Sequence, residues 1–340
     1  MKAVGYKTPS PIADEASLVD IDLPKPTPTG HDILVEVKAV SVNPVDYKVR
    51  RSTPPQDTEW KVIGWDAAGI VTEIGEEVAL FKVGDEVFYA GSITRPGSNS
   101  QFHLVDERIV GKKPSTLGWA QSAALPLTSI TAWEALFDRL EVNKDVPGAA
   151  RAIVIIGGAG GVGSIAVQIA RQRTDLTVVA TASRPETREW VKDLGAHHVL
   201  DHAKPLAAQV KALGIGVPAF AFSTTHTDEH VGEIAEFIAP QGRFALIDDP
   251  KNFDVMQFKR KSVSIHHELM FTRSIFGTPD IDEQGKLLNA VSQLVDSGTI
   301  RTTLNERWSP INAANLKKAH ALLESGKAKG KIVLEGWTLP

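Results

Sequence analysis

The stretch AIVIIGGAGGVGSIAVQIARQ, residues 152–172, decides the fold. Four β-branched residues in a row, Ile153, Val154, Ile155 and Ile156, describe a strand buried on both faces. The run stops in five glycines within seven residues, so the chain turns sharply there. Beyond Gly163 the apolar Ile165, Ala166, Ile169 and Ala170 share one face at helical spacing. Strand, glycine turn and helix are the context in which Gly158, Gly160 and Gly163 act as GxGxxG. The first glycine permits the turn, the second lets a pyrophosphate approach the backbone, and the third lets helix and strand pack closely. The amides of Gly161, Val162 and Gly163 then open a helix whose N-terminus favours an anion. Residues 152–170 carry no charge, but five glycines with Ser164 and Gln168 make a poor membrane span.

Working outward, strands and helices alternate after residue 150. Residues 176–182, 198–200, 219–223 and 243–247 read as strands, and 186–194 and 229–239 as helices. Such alternation implies right-handed crossovers and a parallel sheet covered on both faces, with a ligand crevice at the strands' carboxyl ends. Residues 1–125 instead show short strands punctuated by Pro and Gly, a mostly β domain. Helical periodicity returns over 281–295 and 313–323, and a last strand over 331–334 is expected to pair back onto the N-terminal β domain.

The bulk properties remove several function classes. A chain of 340 residues, 42% hydrophobic, is long enough for two domains with sizeable cores. A net charge of −4, with KRK at 259–261 as the densest basic spot, argues against nucleic acid as the main partner. The absence of cysteine excludes disulfides, thiolate zinc sites and a cysteine nucleophile together. The opening MKAVGYKTPSP has neither an apolar h-region nor an arginine-rich amphipathic stretch, so the expected location is the cytoplasm.

If the glycine loop holds a pyrophosphate, the tip of the next strand selects the dinucleotide. An NAD site needs an acid there for the ribose 2′-OH, whereas a 2′-phosphate needs an arginine and neutral donors. The strand LTVVATA ends in Ser183, Arg184 and Pro185, with no carboxylate at the tip. A hydroxyl donor and a planar guanidinium favour NADPH. The adjacent pairs His197-His198 and His266-His267 point to opposite faces of a strand and make poor metal sites.

With these residues in view, the chain resembles the medium-chain dehydrogenase/reductase superfamily, in particular its quinone oxidoreductase branch and the subgroup called zinc-type alcohol dehydrogenase-like proteins. The likeness is carried by VKAVSVNPVDYKVR (37–50), GWDAAGIVTEIG (64–75), VGDEVFYAG (83–91), ALPLTSITAWEALFD (124–138), GGAGGVGS (157–164), ATASRPET (180–187), LGAHHVLDH (194–202), MFTRS (270–274) and SGKAKGKIVL (325–334). The resemblance implies an α/β fold: a Rossmann doubly wound parallel sheet over 126–303, plus a mostly β GroES-like catalytic domain over 1–125 completed by 304–340. It implies hydride transfer from NADPH to a quinone or enone in a cleft between the domains, and a homodimer through the strand near 262–267. Crystallin-type relatives that bind NADPH with little turnover give a second reading, and a zinc-dependent alcohol dehydrogenase a third.

The resemblance also nominates residues. Asn43, Asp46 and Tyr47 fall in a turn after a strand where the family has its cleft. Asn43 is expected to orient cofactor or acceptor and Tyr47 to donate a hydrogen bond, while Asp46 is either part of that site or a helix cap. Arg50 faces the cleft or pairs with a carboxylate. Thr128 and Thr131 match a segment passing the nicotinamide, and are equally placed as helix-start hydroxyls. Phe271 and Thr272 match a segment beside the carboxamide, Lys331 a polar position near the cofactor, and His202 a place where relatives set a Tyr over the adenine. Zinc-dependent relatives have a Cys and a His where this chain has Asn43 and Trp65, so no metal site is expected. By the same resemblance, the segment RRSTPPQDTEW (50–60) replaces a glycine-rich family loop that contains a tyrosine and leaves acceptor preference open.

Overall fold

Six parallel strands carry the alternating part of the chain. Across the sheet they run His198–Leu200, Thr177–Thr181, Ala150–Ile156, Pro218–Ser223, Arg243–Leu246 and Ser264–His267, and every neighbouring pair is parallel. Counted along the chain this is the order 3-2-1-4-5-6 of a doubly wound Rossmann sheet. The β-branched run behaves as its composition demands, with Ile153 to Ile156 at most 1% exposed. Val154, Val179, Ile234 and Phe244 form a core with the helices on one face. The order reverses beside Ala150–Ile156, which places the glycine turn at the crevice. Ser264–His267 forms one edge of this sheet.

These facts come from a computed structural model that describes residues 1–56 and 59–337. The chain forms two compact units, residues 131–270 and residues 1–130 with 271 onward. The hub of the latter is the long strand Asp32–Val42, which pairs antiparallel with Ala67–Ile74, Phe102–Asp106 and Lys331–Glu335. The C-terminal strand therefore returns to the N-terminal β unit as its sequence position suggests. The return begins earlier than expected, at residue 271 rather than 304. The reason is close packing at two glycines: a Cβ on Gly111 would lie 2.6 Å from Cβ of Leu288, and one on Gly285 would lie 2.6 Å from the Arg108 carbonyl oxygen. Only bare backbone lets helix Glu283–Asp296 sit against strand Val110–Lys112, so that helix belongs with the β unit.

Helix Pro126–Trp133 runs on into a π-helical turn, Glu134–Arg139, where the amide of Leu140 donates to the carbonyl of Ala135 at 2.9 Å. Helical periodicity over 120–140 does not reveal this extra residue in the turn. Among the described residues no helix is long and apolar enough to cross a membrane. Asp57 and Thr58, inside the segment on which acceptor preference was read, lie outside the described residues.

Candidate functional site

The glycine turn is built as its spacing requires. A Cβ on Gly163 would stand 2.2 Å from the Gly157 carbonyl oxygen and 2.7 Å from Cα of Gly158, so only glycine lets helix Gly161–Arg173 approach the strand. A Cβ on Gly158 would meet Cβ of Ala180 at 2.9 Å. Gly160 is different: its nearest neighbour would be 3.4 Å away, an ordinary contact, so its missing side chain leaves space rather than relieving a clash. Ser164 makes the first intrahelical bond, to the carbonyl of Gly160 at 2.9 Å. The amides of Gly161, Val162 and Gly163 precede it and face the N-terminal end of a thirteen-residue helix.

Thr181 fastens this turn to the next strand. Its hydroxyl accepts from the Gly157 amide at 3.0 Å, its carbonyl accepts from Gly158 at 3.1 Å, and His202 Nδ1 lies 3.2 Å from the same hydroxyl. The Thr181 hydroxyl and His202 Nδ1 share this hydrogen bond, in which either atom can donate. Burial lowers the His202 pKa, which keeps the ring neutral. Beyond the strand, Ser183 and Arg184 are half-exposed, and the Arg184 guanidinium pairs with Glu186 at 3.2 Å. Arg188, which sequence reasoning missed, donates to the carbonyls of Ala182 and Val199, both at 3.3 Å. It pins the tip that carries Ser183 and Arg184, and a basic residue in a helix's first turn gave no signal of this.

In the other unit, Asn43, Asp46, Asp66 and Lys331 converge. All four are at most 2% exposed. The Lys331 ammonium donates to Asp66 Oδ2 and to the Val42 carbonyl, each at 3.0 Å, and to Asn43 Oδ1. Asn43 Nδ2 donates to Asp66 Oδ2 at 3.0 Å, and the Leu127 amide to Asp66 Oδ1 at 2.9 Å. Asp46 accepts from the Asn43 amide, the arrangement of a helix cap, while its Oδ1 has no partner. Burial pushes Asp46 up to about 7 and raises Asp66, against the pull of Lys331 on both. With Asp46 protonated the cluster is one ammonium and one carboxylate, electrically neutral inside the protein.

This network corrects two expectations. The three donors of Lys331 are all committed to the protein, so its ammonium is a structural centre and not a cofactor contact. The carboxamide of Asn43 is held at both ends, so Asn43 positions its neighbours instead of reaching a ligand. Of the paired readings of Asp46, the cap is the one observed. Thr128 is 2% exposed and donates to the Leu125 carbonyl at 3.1 Å, as a helix-start hydroxyl does, so it is not aimed outward. Phe271 is buried edge-on against Trp65, ring centres 6.1 Å apart, so its side chain packs rather than lines a ligand; Thr272 is half-buried at the start of a short helix. Arg50 is fully buried and binds Glu324 and, at 2.9 Å, the Ser10 carbonyl. Tyr47 is half-buried, and its hydroxyl makes no hydrogen bond among the described residues. Asp66 was missed, although an acid directly after Trp65 in an apolar run was a visible signal.

Residues 29–130 match the model of an alcohol dehydrogenase GroES-like domain, and residues 194–334 that of a zinc-binding dehydrogenase. A zinc-type alcohol dehydrogenase-like protein of Staphylococcus aureus is 40% identical over 337 residues, covering 98% of this chain and 99% of its own. The chain belongs to the medium-chain dehydrogenase/reductase superfamily. A crystal structure from Rhizobium etli CFN 42, described provisionally as a zinc-dependent alcohol dehydrogenase, has 77% identity to this medium-chain dehydrogenase/reductase and a TM-score of 0.99, covering 100% and 99% of the two chains. A chloroplast envelope quinone oxidoreductase homolog of Arabidopsis thaliana is 34% identical over 200 residues, 58% of this chain and 60% of its own.

The zinc in those descriptions does not fit the residues of this family member. The family resemblance sets Asn43 and Trp65 where zinc-dependent relatives are expected to have a Cys and a His. The Trp65 indole donates to the Ser92 carbonyl at 3.1 Å, and Asn43 Oδ1 is taken by Lys331. The chain has no thiolate, and no group of three His, Asp or Glu among the described residues could hold a metal. Next to Asn43 the chain sets its own ammonium, that of Lys331.

Proposed function

We propose that this protein is a zinc-independent, NADPH-dependent oxidoreductase that transfers hydride to a quinone or an α,β-unsaturated carbonyl. The observation that carries the reading is the glycine cradle: Gly163 closed by backbone contact, Gly160 open, and an arginine with no acid at the tip of the next strand. The amides of Gly161, Val162 and Gly163 take the pyrophosphate, Ser183 and Arg184 the 2′-phosphate, and the neutral His202 ring the adenine. NADPH, when bound, supplies the hydride. The Tyr47 hydroxyl, which makes no hydrogen bond among the described residues, donates one to the acceptor oxygen as negative charge develops there. The capped turn Asn43–Asp46 and the Lys331–Asp66 pair fix the start of the helix that bears Tyr47. The quinone oxidoreductase homolog from Arabidopsis supports the acceptor class.

Arg184→Ala tests the cofactor half. Loss of a charge-assisted phosphate contact weakens NADPH binding about 10- to 100-fold and leaves NADH binding within about threefold, read by fluorescence titration. Equal affinity for NADPH and NADH in the unmutated protein contradicts the choice of NADPH. Tyr47→Phe tests the acceptor half. Its kcat with an ortho-quinone or an enone falls about 10²-fold at unchanged NADPH affinity; an unchanged kcat removes Tyr47 from the chemistry.

A further inference from the structure

Glu134, Arg139 and Glu268 form a cluster that the cradle does not use. Glu268 is the first residue beyond the last parallel strand, and its amide still donates to the Leu246 carbonyl at 3.0 Å. Its side chain turns inward and is buried, as is Glu134, at 4% and 1% exposure. Arg139 Nε donates to Glu268 Oε2 at 2.9 Å, while Glu268 Oε1 is buried without a hydrogen-bond donor and the Glu134 carboxyl acts on Glu268 from close by. The π-helical turn makes this meeting possible. Residues five apart, which point well away from each other on an α-helix, are brought together by closure from i to i+5, so Glu134 and Arg139 both reach Glu268.

Charge counting fixes the protonation. Two ionised carboxylates close together beside one guanidinium would leave an uncompensated negative charge out of water. One proton between the two carboxyls removes it and supplies the donor that Glu268 Oε1 lacks. Other charged groups near the cluster are Glu141 after the turn, Arg243 on the neighbouring strand and His266 on the strand that Glu268 follows. Arg243 is committed to the carbonyls of Leu140 and Glu141, at 2.7 and 2.8 Å, and so does not neutralise a second carboxylate.

We propose that Glu134 and Glu268 share one proton at neutral pH and, with Arg139, form a proton-dependent latch that holds the carboxyl end of the last parallel strand in its cofactor-binding position. Ligands of doubly wound sheets lie outside the carboxyl ends of the strands, and strands four to six make the second mononucleotide half. When the proton leaves, the carboxylates repel and the π turn separates from the strand end. The effect on binding rests on the nicotinamide reading of this site; the effect on stability rests on the cluster alone. Burial and the neighbouring carboxylate push Glu268 up to about 9. Its folded value therefore lies above the unfolded one, about 4.3. The stabilisation is fully present below the unfolded value and is lost as pH rises towards about 9.

The test compares the unmutated protein with Glu134→Gln between pH 6 and 10, by Tm without ligand and by NADPH titration. Glutamine donates to Glu268 without a titrating proton, so its latch does not open. The Tm of the unmutated protein is expected to fall at least about 5 °C more than that of the variant over this range. Its NADPH affinity is expected to drop about tenfold between pH 7 and 9.5, against less than about threefold in the variant. Parallel Tm curves overturn the shared proton. Divergent Tm curves with parallel affinity curves overturn the link to the cofactor site. Failure of both proteins to bind NADPH at pH 7 overturns the cofactor reading instead, and the Tm comparison still decides the latch. Glu268→Gln, which keeps the shape and leaves Glu134 as the acceptor, repeats the comparison if Glu134→Gln does not fold.

Discussion

Replacing Lys331 by methionine is expected to cost about 3–5 kcal/mol of folding stability, because it leaves the buried Asp66 carboxylate without its cation. Asp66 keeps the Leu127 amide and Asn43 Nδ2, but the Val42 carbonyl and Asn43 Oδ1 lose their donor. In a chain of this size the loss lowers Tm by roughly 6–20 °C. Two controls identify the cause. Adding Asp66→Asn to Lys331→Met removes the stranded charge and restores part of the loss, a coupling that a double-mutant cycle measures. The deficit also shrinks as pH falls. Lys331 is the largest influence lowering the Asp66 pKa against burial, so without it Asp66 takes up a proton at higher pH and no longer needs a partner. A variant within about 2 °C of the unmutated protein contradicts the assignment of Lys331 as the centre of the cluster.

The second large effect separates two glycines of one motif. Gly163→Ala puts a methyl 2.2 Å from the Gly157 oxygen, an atom of backbone that cannot yield, so strand and helix must part. The expected cost is about 3 kcal/mol or more, with loss of NADPH binding. Gly160→Ala meets nothing closer than 3.4 Å and folds with a Tm within about 2 °C of the unmutated protein. Its methyl nevertheless lies where the pyrophosphate approaches, so NADPH binding weakens about 10- to 100-fold. Thermal unfolding and titration on the two variants check both halves. Normal NADPH affinity in Gly160→Ala removes the pyrophosphate from this turn.

The contrast between these effects shows what the sequence made legible. The cradle is local: a β-branched run, a glycine turn and a helix lie next to one another in the chain, and the conformation each permits follows from residue type. The parallel sheet and the return of the last strand were readable for the same reason, from periodicity and from the little chain left to place. The buried cluster is not local. Lys331 pairs with Asp66 only because the strand Lys331–Glu335 lies antiparallel to Asp32–Val42, and nothing near Lys331 in sequence marks it as an internal cation. Asn43 and Asp46 were legible as a turn, but the commitment of the Asn43 carboxamide to Asp66 and Lys331 required the tertiary fold. The π-helical turn escaped because a single inserted residue barely alters an apolar helical pattern. The close packing of Gly111 against Leu288 left a trace, since glycine within a strand is a sign of close approach by another element. That trace would have moved helix Glu283–Asp296 to the β unit.

The proposed function is hydride transfer from NADPH by the chain's own groups, without a metal ion. The most direct test is the rate of NADPH oxidation with an ortho-quinone or enone by protein dialysed against a strong chelator, relative to untreated protein. The account predicts equal rates, unchanged by added zinc. Activity that disappears on chelation and returns with one zinc per chain would contradict it.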